Sequence, residues 1–326
     1  MGLGVVVIGR NEGERLVRCL DSLGSDVPCV YVDSGSTDRS VASAQERRVD
    51  VVELDMAKPF TAARARNEGF KRLDATVADL EYVMFVDGDC AVASNWLVDG
   101  LNAIKAAPDI AVVCGRRREQ FPRRTIYNQL CDIEWDTPTG KANACGGDAI
   151  YRASAYRQVG GFNATLIAGE EPELCYRLRV NGHLIYRIDS DMTLHDAAMS
   201  RFGQWWKRAE RSGHAYYLGY HLHGASAEKF RAKEVRSILA WGGLIPTLAA
   251  ASVLSLTWVP LTLAIALFCI QSVRVSKSAR RRGVSRLVAF KFGVFTMLGK
   301  LPQLIGVLRA RGRVKGGKDM QLVEYK

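Results

Sequence analysis

Four apolar runs in the first 90 residues alternate with helix-like segments, and this alternation constrains the fold more than any other feature of the chain. The runs span residues 4–9, 27–32, 49–54 and 82–86. Strands that alternate with helices form parallel sheets through right-handed crossovers. The chain is therefore predicted to begin with an α/β domain, in which helices cover both faces of a mostly parallel central sheet.

A polar motif follows each of these runs. Asp87-Gly88-Asp89 comes directly after the fourth run and carries two carboxylates one residue apart. Open α/β sheets bind ligands at the carboxyl ends of their strands, and hard oxygen ligands suit Mg²⁺ or Mn²⁺, which in turn holds a diphosphate. A solvated acidic turn is the alternative for an isolated Asp-Gly-Asp. The absence of Gly-x-Gly-x-x-Gly after the first run and of any Gly-Lys-Ser/Thr loop disfavours dinucleotide and P-loop folds.

Seven short motifs occur in an order that resembles a family-2 glycosyltransferase with a GT-A fold, from about residue 4 to about residue 222. They are Gly-Arg-Asn-Glu (9–12), Val-Asp-Ser-Gly-Ser-Thr-Asp (32–38), Ala-Arg-Asn-Glu-Gly (65–69), Asp-Gly-Asp (87–89), Gly-Gly-Asp (146–148), Gly-Gly-Phe (160–162) and Gly-Glu-Glu-Pro-Glu-Leu (169–174). The resemblance implies a Rossmann-like GT-A domain that uses a divalent metal, Mn²⁺ or Mg²⁺, and a UDP- or GDP-linked sugar donor.

The donor-binding residues that the resemblance implies lie at neighbouring strand ends. Asp33 is expected to contact the nucleobase, Asp87 the ribose, and Asp89 the metal, with Asp87 as a second metal ligand. Asn11 and Glu12 follow the first strand and are expected beside them. Turn capping is the alternative for Asp33, since Asp and Ser favour such loops through local hydrogen bonds.

Arginines from two predicted helices are expected to bind the donor diphosphate. Arg64 and Arg66 lie at the head of the helix after the third strand, and Arg is a good bidentate phosphate partner. Surface charge is the alternative for both. Residues 201–214 resemble a degenerate Gln-x-x-Arg-Trp motif, in which Arg208 and Arg211 share one helical face and are expected to close over the phosphates. The aromatic residues of this segment also suit an interfacial helix.

Glu170, Glu171 and Glu173 lie at or just before the start of a helix predicted at residues 172–181. Sugar transfer needs a base for the acceptor hydroxyl, and the resemblance assigns this role to Glu171, which stands where the family usually has Asp. Glu170 and Glu173 are the rivals for that role. The structural alternative is an acidic first turn that interacts favourably with the helix dipole.

His195 follows a strand-like run at residues 184–188. The resemblance implies that a histidine near this position completes the metal site with Asp89. A structural or exposed histidine is the alternative.

Five arginines lie within residues 116–124, after a strand predicted at residues 110–114. Arg116, Arg117 and Arg118 begin this cluster and are expected to receive the phosphate of a lipid carrier, with a solvated charged loop as the alternative. The resemblance also points to a polyprenyl-linked acceptor, and it places Gly147 and Asp148 on the acceptor side.

The net charge of +11 is concentrated at the C-terminus. Residues 274–326 contain 14 Lys and Arg and 2 Asp and Glu. Residues 237–273 contain no charge over 37 positions, which predicts a membrane segment rather than a soluble core helix. No recognition motif accompanies the basic residues, so nucleic-acid binding is not expected. Eight scattered cysteines show no metal-binding spacing and fit reduced thiols.

The chain is expected to divide at residue 222. Residues 1–222 form the catalytic domain, and residues 223–326 form a membrane-associated region with a hydrophobic hairpin (237–273), an amphipathic interfacial helix (284–310) and a basic tail. A third span is the alternative for the interfacial helix. No signal peptide precedes the first strand, and the positive-inside rule favours an even number of crossings. The catalytic domain is therefore expected on the cytoplasmic face of the inner membrane.

These features predict an inverting glycosyltransferase that moves a hexose from a nucleotide-sugar onto a lipid-linked acceptor in polysaccharide or glycolipid assembly. A polyprenyl-phosphate sugar synthase is the alternative within the enzyme class, because a phosphate acceptor needs no base. A catalytically silent membrane protein that binds a nucleotide-sugar is the alternative outside that class. The presence of Asp87, Asp89 and Glu171 disfavours the silent protein.

Overall fold

The structure, a computed structural model, describes residues 2–317, which fall into two compact units. The sheet unit comprises the chain up to Pro122 together with Glu134–Ala198. The helical unit comprises Arg123–Ile133 together with the chain from Met199 onward. The boundary predicted at residue 222 lies inside the helical unit.

One mixed sheet organises the sheet unit. Its strands are β1 (Leu3–Gly9), β2 (Cys29–Asp33), β3 (Asp50–Glu53), β4 (Tyr82–Asp87), β5 (Cys90–Val92), β6 (Ile110–Glu119), β7 (Gly140–Ala142), β8 (Ala149–Arg152) and β9 (Leu184–His195). Their order is β3-β2-β1-β4-β8-β6-β9-β5, with β7 paired to β9. β1, β2, β3, β4, β6 and β9 run in one direction, and β5, β7 and β8 run in the other. The predicted, mostly parallel α/β sheet is confirmed.

The central strands β1 and β4 form the middle of the core. Every residue from Leu3 to Ile8 and from Tyr82 to Val86 is buried. A strand covered on both faces has a continuous apolar sequence rather than an alternating one. Because each fully buried large apolar side chain contributes about 1.5–3 kcal/mol, these two strands hold the sheet and the motifs at its edge firmly in place.

Helices cover the sheet and connect its strands. They are α1 (Glu14–Leu23), α2 (Ser40–Glu46), α3 (Ala62–Thr76), α4 (Trp96–Ala106), α6 (Ala153–Gln158) and α7 (Glu170–Val180), while α5 (Ile126–Trp135) contributes residues to both units. α3 approaches the sheet closely at Gly69, where a Cβ atom would clash with Val6 and lie 2.9 Å from Val32. The glycine of the Ala-Arg-Asn-Glu-Gly motif is therefore required for packing.

The asparagine of the same motif joins it to the Gly-Gly-Phe motif. Asn67 Oδ1 accepts a hydrogen bond from the Phe162 amide at 2.9 Å, and Asn67 Nδ2 donates to the Phe162 carbonyl at 2.8 Å. Tyr156 Oη also donates to Asn67 Oδ1 at 2.6 Å. Two motifs about 95 residues apart in the chain thus hold each other in place.

The helical unit contains α8 (Phe202–His223), α9 (Ala232–Ser255), α10 (Val259–Arg281), α11 (Arg286–Leu298) and α12 (Lys300–Lys315). Three stretches of the described chain are long and apolar enough to cross a membrane, by length and composition: Ala232–Ser255, Val259–Arg281 and Arg286–Lys315. The charge-free segment predicted as a hairpin corresponds to α9 and α10, and Leu256, in the turn between them, adopts a left-handed conformation with φ 51°.

The segment predicted as one amphipathic helix at residues 284–310 contains two helices, and its interfacial position remains a prediction. The structure has two helices there, α11 and α12, which meet at Gly299. Together they have the length and hydropathy of a membrane span, as the alternative expected. Residues 318–326 of the predicted basic tail lie outside the described residues.

Glycines allow α8 and α12 to pack closely. A Cβ atom on Gly213 of α8 would clash with the backbone of Gln303, and one on Gly306 of α12 would clash with the carbonyl of Glu210. Glycine at both contact positions therefore lets the backbones of the two helices approach each other directly.

Candidate active site at the strand ends

The ends of three neighbouring strands bring the predicted polar motifs to one edge of the sheet. Ile8 of β1 pairs with Asp87 of β4, and Gly9 of β1 pairs with Asp33 of β2. Because the three strands are parallel, the residues after each strand leave the sheet on the same side. This edge therefore carries the first, second and fourth motifs of the sequence together.

The Asp33 carboxylate is engaged by its own loop. It is buried, and its Oδ2 accepts hydrogen bonds from the amides of Gly35 at 2.9 Å and Ser36 at 2.8 Å. Its Oδ1 accepts a hydrogen bond from Tyr31 Oη at 2.8 Å. These contacts match the turn-capping alternative, and the contact of Asp33 with a nucleobase remains a prediction.

Asn11 and Glu12 shape the loop after β1. Asn11 Oδ1 accepts a hydrogen bond from the backbone amide of Thr37 at 2.7 Å. The backbone amide of Asn11 donates to Ser36 Oγ at 2.9 Å. Asn11 adopts a left-handed conformation with φ 56°, which asparagine tolerates better than most residues. The Glu12 carboxylate lies 2.6 Å from Arg15. The loop after β1 is thereby tied to the loop after β2.

One buried guanidinium joins the two acidic motifs. Arg66 Nη2 lies 2.7 Å from Asp87 Oδ1, and Arg66 Nη1 lies 2.8 Å from Glu170 Oε1. Burial by itself lowers the pKa of Arg66, but the two carboxylates outweigh it and raise that pKa. The guanidinium also lies over the Phe162 ring, 5.3 Å from its centroid. Arg66 is thus a permanent cation at the predicted donor site.

A second buried cation fixes the end of β4. Arg117 Nη2 lies 2.7 Å from Asp148 Oδ2, and Asp148 also accepts hydrogen bonds from the Asp87 amide at 3.1 Å and the Thr193 hydroxyl at 2.7 Å. Burial lowers the pKa of Arg117, but Asp148 and its acidic neighbours raise it further than burial lowers it. A Cβ atom on Gly147 would lie 2.8 Å from Asp87 Oδ2, so a side chain here would displace that carboxylate oxygen. In this structure these residues position the Asp-Gly-Asp motif.

Asp89 and His195 form the part of the site that fits a metal. Cys90 and His195 pair across β5 and β9, and His195 Nε2 lies 3.2 Å from Asp89 Oδ2. The imidazole packs on Trp135 at a centroid distance of 4.8 Å, and its Nδ1 is buried with no hydrogen-bond partner in the described chain. Carboxylate oxygens suit Mg²⁺ and Mn²⁺, and an imidazole favours the transition metal of the two. Asp89, His195 and the nearby Cys90 thiol offer ligand atoms within 4.8 Å of one another.

Glu171 is held through one carboxylate oxygen. It lies in the first turn of α7 and is buried. Its Oε1 accepts hydrogen bonds from the Cys145 amide at 2.6 Å, the Cys145 thiol at 3.2 Å and the Cys175 thiol at 3.1 Å. Within residues 2–317 its hydrogen bonds all reach Oε1, so Oε2 is the oxygen that can receive a proton.

The two rivals of Glu171 have other partners. Glu170 pairs with Arg66. The Glu173 carboxylate is buried and lies 2.9 Å from Arg177, which in turn donates to the Gly161 carbonyl at 2.6 Å. Glu173 therefore anchors α7 to the Gly-Gly-Phe motif. Glu173 thus has both oxygens engaged by Arg177, whereas Glu170 and Glu171 are each held through Oε1. Glu171 as the base, with Glu170 as its rival, remains a prediction.

Three of the arginines predicted for the donor diphosphate have different surroundings from Arg66. Arg64 donates to the carbonyls of Asp55 at 3.0 Å and Lys58 at 3.1 Å, and so closes the loop before α3. Arg208 and Arg211 belong to α8 of the helical unit. Diphosphate binding by these three residues remains a prediction.

The first three arginines of the cluster, Arg116, Arg117 and Arg118, lie on a strand rather than on a loop. β6 continues through Glu119, beyond the predicted end at residue 114. Arg116 Nε lies 3.3 Å from Asp136, and Arg118 Nε lies 2.7 Å from Asp191, while Arg117 forms the buried pair with Asp148. Each arginine is therefore paired with a carboxylate, and acceptor binding by the three remains a prediction.

Several contributors to the site were not recognised in the sequence. Trp135 lies against His195 and also under the Arg117 guanidinium, 5.7 Å from the ring centroid. Neither Trp135 nor Thr193 has a sequence signal, because their contacts join elements that are distant along the chain. Cys175 does have a sequence signal, since it lies four residues after Glu171 and the two therefore share one helix face.

Comparison with known proteins agrees with this geometry. Residues 4–160 match the family model described as Glycosyl transferase family 2. Glycosyltransferase AglE of Haloferax volcanii is 22% identical over 228 residues, which cover 65% of this chain and 71% of that protein.

Two solved structures share the fold over nearly the whole chain. The mannosyltransferase PcManGT from Pyrobaculum calidifontis, in complex with GDP-Man and Mn²⁺, superposes with a TM-score of 0.65 at 18% identity and covers 94% of this chain and 86% of that one. TarS 1–349 of S. aureus gives a TM-score of 0.54 at 15% identity, with coverages of 98% and 92%. At such identities the likeness shows the fold.

The family match includes the first five motifs, from Gly-Arg-Asn-Glu to Gly-Gly-Asp, which converge at the strand ends. It therefore covers the part of the chain that carries Asp87, Asp89 and Arg66. The chain contains a family-2 glycosyltransferase domain with a GT-A fold, and it is a glycosyltransferase.

Proposed function

We propose that this protein is an inverting glycosyltransferase that moves a hexose from a UDP- or GDP-linked donor onto a lipid-linked acceptor of the polyprenyl type, in polysaccharide or glycolipid assembly. The observation that carries the proposal is the Arg66 bridge, in which one buried cation joins Asp87 to Glu170, the residue next to Glu171. This bridge connects the Asp-Gly-Asp motif to the first turn of α7, which carries the proposed base.

Asp89 and His195 would hold the divalent cation, with Asp87 beside them. When bound, that cation neutralises charge on the departing diphosphate as a Lewis acid. The structurally similar mannosyltransferase binds GDP-Man and Mn²⁺, which supports a nucleotide-sugar donor and the same class of cation here.

Arg66 and Glu171 would serve the two ends of the reaction. Arg66 supplies a fixed positive charge where negative charge develops on the leaving group. The acceptor hydroxyl oxygen attacks the anomeric carbon while its proton passes to Glu171 Oε2. The bond from that carbon to the diphosphate oxygen breaks, and the diphosphate leaves with the electron pair. One base and one displacement invert the configuration at the anomeric carbon.

The helical unit supports a lipid-linked acceptor. Its three potential spans suit an acceptor or product that resides in the membrane. It also contains a cavity of about 600 Å³ that combines cationic, aromatic and apolar side chains. The lining includes Lys229, Arg236, Arg311, Tyr217, Tyr220 and Leu239. This combination suits an anionic head group with an apolar chain attached.

The positive-inside rule supports the cytoplasmic face of the inner membrane as the location of the catalytic domain. The basic residues at 274–286 follow the apolar part of α10. If α9 and α10 cross the membrane as a hairpin, the chain returns to the side of the membrane from which it entered, and these basic residues lie on that side. Tagging Arg282 and an exposed sheet-unit residue with a membrane-impermeant reagent, after Cys substitution, tests this arrangement in right-side-out and inverted vesicles.

A polyprenyl-phosphate sugar synthase is the second possible function. Glu171 is buried, which restricts the approach of an acceptor hydroxyl to its carboxylate. A phosphate acceptor is already an anion and requires no base, so the burial of Glu171 favours the synthase. In that case the acceptor would be the lipid phosphate itself, and substitution of Glu171 would have little effect on the rate.

Mass spectrometry of lipid extracts decides between these functions. The detergent-purified protein is incubated with membrane lipids, Mn²⁺ and a panel of UDP- and GDP-sugars, with Glu171→Gln as the matched control. We expect one sugar to appear on a lipid-linked saccharide with the parental protein and a much reduced product with the variant. A sugar attached directly to lipid phosphate at similar rates in both would favour the synthase. No lipid product with any donor would contradict both proposals.

A further inference from the structure

Two buried thiols surround the carboxylate of Glu171. Cys145 Sγ and Cys175 Sγ are 3.6 Å apart, and they lie 3.2 Å and 3.1 Å from Glu171 Oε1. The three ligand atoms lie within 4.8 Å of one another, close enough to bind one ion together. The family resemblance assigns no role to either cysteine, and glycosyl transfer as proposed above uses neither thiol.

The spacing of the three donor atoms corresponds to the face of a tetrahedron around a zinc ion. Zn–S bonds of about 2.3 Å and Zn–O bonds of about 2.0–2.2 Å give S···S edges near 3.8 Å and S···O edges near 3.5 Å in tetrahedral geometry. The observed separations are shorter than these edges by a few tenths of an ångström. Small side-chain rotations would therefore admit the ion.

We propose that Cys145, Cys175 and Glu171 form a binding site for a thiophilic divalent cation of the Zn²⁺ class. Thiolate donors select such a cation over Mg²⁺ and Mn²⁺, so the site is chemically distinct from the one at Asp89 and His195. Tyr151 Oη lies 3.0 Å from Cys145 Sγ and is an oxygen donor within reach of the fourth position.

The local structure leaves a route by which the ion can enter. Cys145 and Glu171 are each slightly exposed, at 8% and 7%, while Cys175 is fully buried. Burial raises the pKa of both thiols, so a bound cation displaces their protons. Gly146, directly after Cys145, has a φ of 84°, and a Cβ atom there would meet open space.

Occupation of this site would inhibit glycosyl transfer. Coordination of Oε1 to Zn²⁺ withdraws electron density from the carboxylate and lowers its basicity, so Oε2 becomes a much weaker acceptor for the proton of the acceptor hydroxyl. This consequence rests on the proposed role of Glu171 as the base, whereas the binding itself does not. Inhibition would be competitive neither with Mn²⁺ nor with the nucleotide-sugar, because both use other residues.

Co²⁺ is the probe for binding, since its thiolate charge-transfer and tetrahedral ligand-field absorption report sulfur ligands directly. Full-length protein in detergent, freed of metal and kept reduced with a phosphine, is titrated with Co²⁺ alone. We expect thiolate bands in the parental protein, in Asp89→Ala, in Cys90→Ser and in the exposed-thiol control Cys269→Ser. The bands should be lost in Cys175→Ser and in Cys145→Ala, and the apparent affinity for Zn²⁺ in competition should fall roughly tenfold or more.

Absence of thiolate bands in the parental protein would overturn the binding proposal, as would bands that persist in both Cys175→Ser and Cys145→Ala. Bands that disappear in Cys90→Ser alone would place the ion at the Asp89 and His195 site instead. Two separate variants keep the result interpretable if one of them fails to fold, and Mn²⁺-dependent nucleotide binding by each variant verifies its fold.

Inhibition is measured separately, with Mn²⁺ and donor at saturation and Zn²⁺ increasing. We expect Zn²⁺ to reduce transfer by the parental protein, and the concentration for half inhibition to rise at least about tenfold in Cys175→Ser relative to its own uninhibited rate. If Co²⁺ binds as described but Zn²⁺ leaves transfer unchanged, the cation site stands and the assignment of Glu171 as the base fails. The two proposals therefore fail in distinguishable ways.

Discussion

The Arg117 guanidinium and the Asp148 carboxylate form an ion pair of 2.7 Å in the interior of the sheet unit, with Asp148 fully buried. The other oxygen of Asp148 accepts a hydrogen bond from the Asp87 amide. The pair therefore does more than neutralise two charges, because it holds the backbone of the Asp-Gly-Asp motif at the end of β4. An acid outside that motif thus fixes the backbone position of its first aspartate.

Breaking this pair is expected to lower the free energy of unfolding. Replacing both charged side chains by apolar ones should recover stability but not activity. Asp148→Leu leaves Arg117 without its main partner, which typically destabilises by about 3–5 kcal/mol. The double variant Arg117→Met with Asp148→Leu should recover much of that loss but remain inactive, because the Asp87 amide still lacks its acceptor. Thermal unfolding in detergent and a glycosyl transfer assay measure the two effects.

The exposed pair of Arg118 and Asp191 is the matched control for that experiment. Its atoms lie at the same 2.7 Å separation, but both side chains are about half exposed. Removing it should change stability by no more than about 1 kcal/mol. Equal losses at the buried and exposed pairs, or an active double variant, would contradict the positioning role.

Loss of the metal ligand should abolish both turnover and metal-dependent binding. Asp89→Ala removes an anionic ligand and leaves His195 without its partner, so Mn²⁺-dependent binding of a nucleoside diphosphate should disappear in calorimetry. Asp21→Ala, at an exposed carboxylate paired with Arg47, should leave binding intact. Full activity in EDTA, or an active Asp89→Ala protein, would refute the metal-dependent mechanism.

Glu171→Gln should separate proton transfer from donor binding. The amide preserves the shape and can still accept the Cys145 amide hydrogen bond, but it cannot take a proton. Transfer should fall by about 10²–10⁴-fold while the affinity for the donor is retained. A near-parental rate would show that another group is the base or that the acceptor is a phosphate.

Glu170→Gln should mainly reduce donor affinity, whereas Glu171→Gln should mainly reduce the rate of transfer. The substitution at Glu170 weakens the clamp on Arg66 and so disturbs the position of Asp87 at the predicted donor site. We expect donor affinity to decrease, with a smaller effect on the rate at saturating donor. Isothermal titration with the nucleotide and steady-state kinetics distinguish the two effects. Unchanged affinity would show that Arg66 is held adequately by Asp87 alone.

Two glycines of α12 should respond oppositely to the same substitution. Gly306→Ala drives a methyl group into the backbone of α8, which should destabilise by about 1–3 kcal/mol. A Cβ atom on Gly312 meets open space, so Gly312→Ala should be neutral or stabilise by about 0.5–1 kcal/mol through better helix propensity. Thermal unfolding in detergent compares them, and equal effects would argue against close packing of α8 and α12.

His214 should make the helical unit sensitive to acid. Burial, aided by Arg313 and Arg211, lowers its pKa to about 4 from 6.5. Between these values the unfolded chain binds more protons than the folded protein, so stability is complete above about pH 6.5 and decreases as the pH falls toward 4. Arg309 and Glu210 also line the small cavity that contains the imidazole.

The measurement is the melting temperature in detergent at about pH 7.5 and pH 5. The fall in melting temperature from the higher to the lower pH should be smaller in His214→Gln than in the parental protein. The control His221→Gln, which alters an exposed histidine of the same helix, should behave like the parental protein. An identical pH dependence in all three proteins would exclude His214 as the source of the sensitivity.

The order of strands, helices and motifs was determined by the sequence itself. The apolar runs that became β1 and β4 are continuous because both faces of these strands are covered, and this pattern is local enough to read without the fold. The same holds for the charge-free segment at residues 237–273, since membrane-spanning helices require length and apolarity over consecutive positions.

Only the tertiary structure decided how the charged residues are used. Arg66 and Arg117 are permanent cations buried among acids from distant parts of the chain, whereas Arg64 closes its own loop, and no local pattern separates these cases. Cys145 reaches Glu171 because the chain folds back over 26 residues. Charge and hydrogen bonding depend on which groups share a buried space, and that is set by packing between elements rather than by the order of residues along the chain.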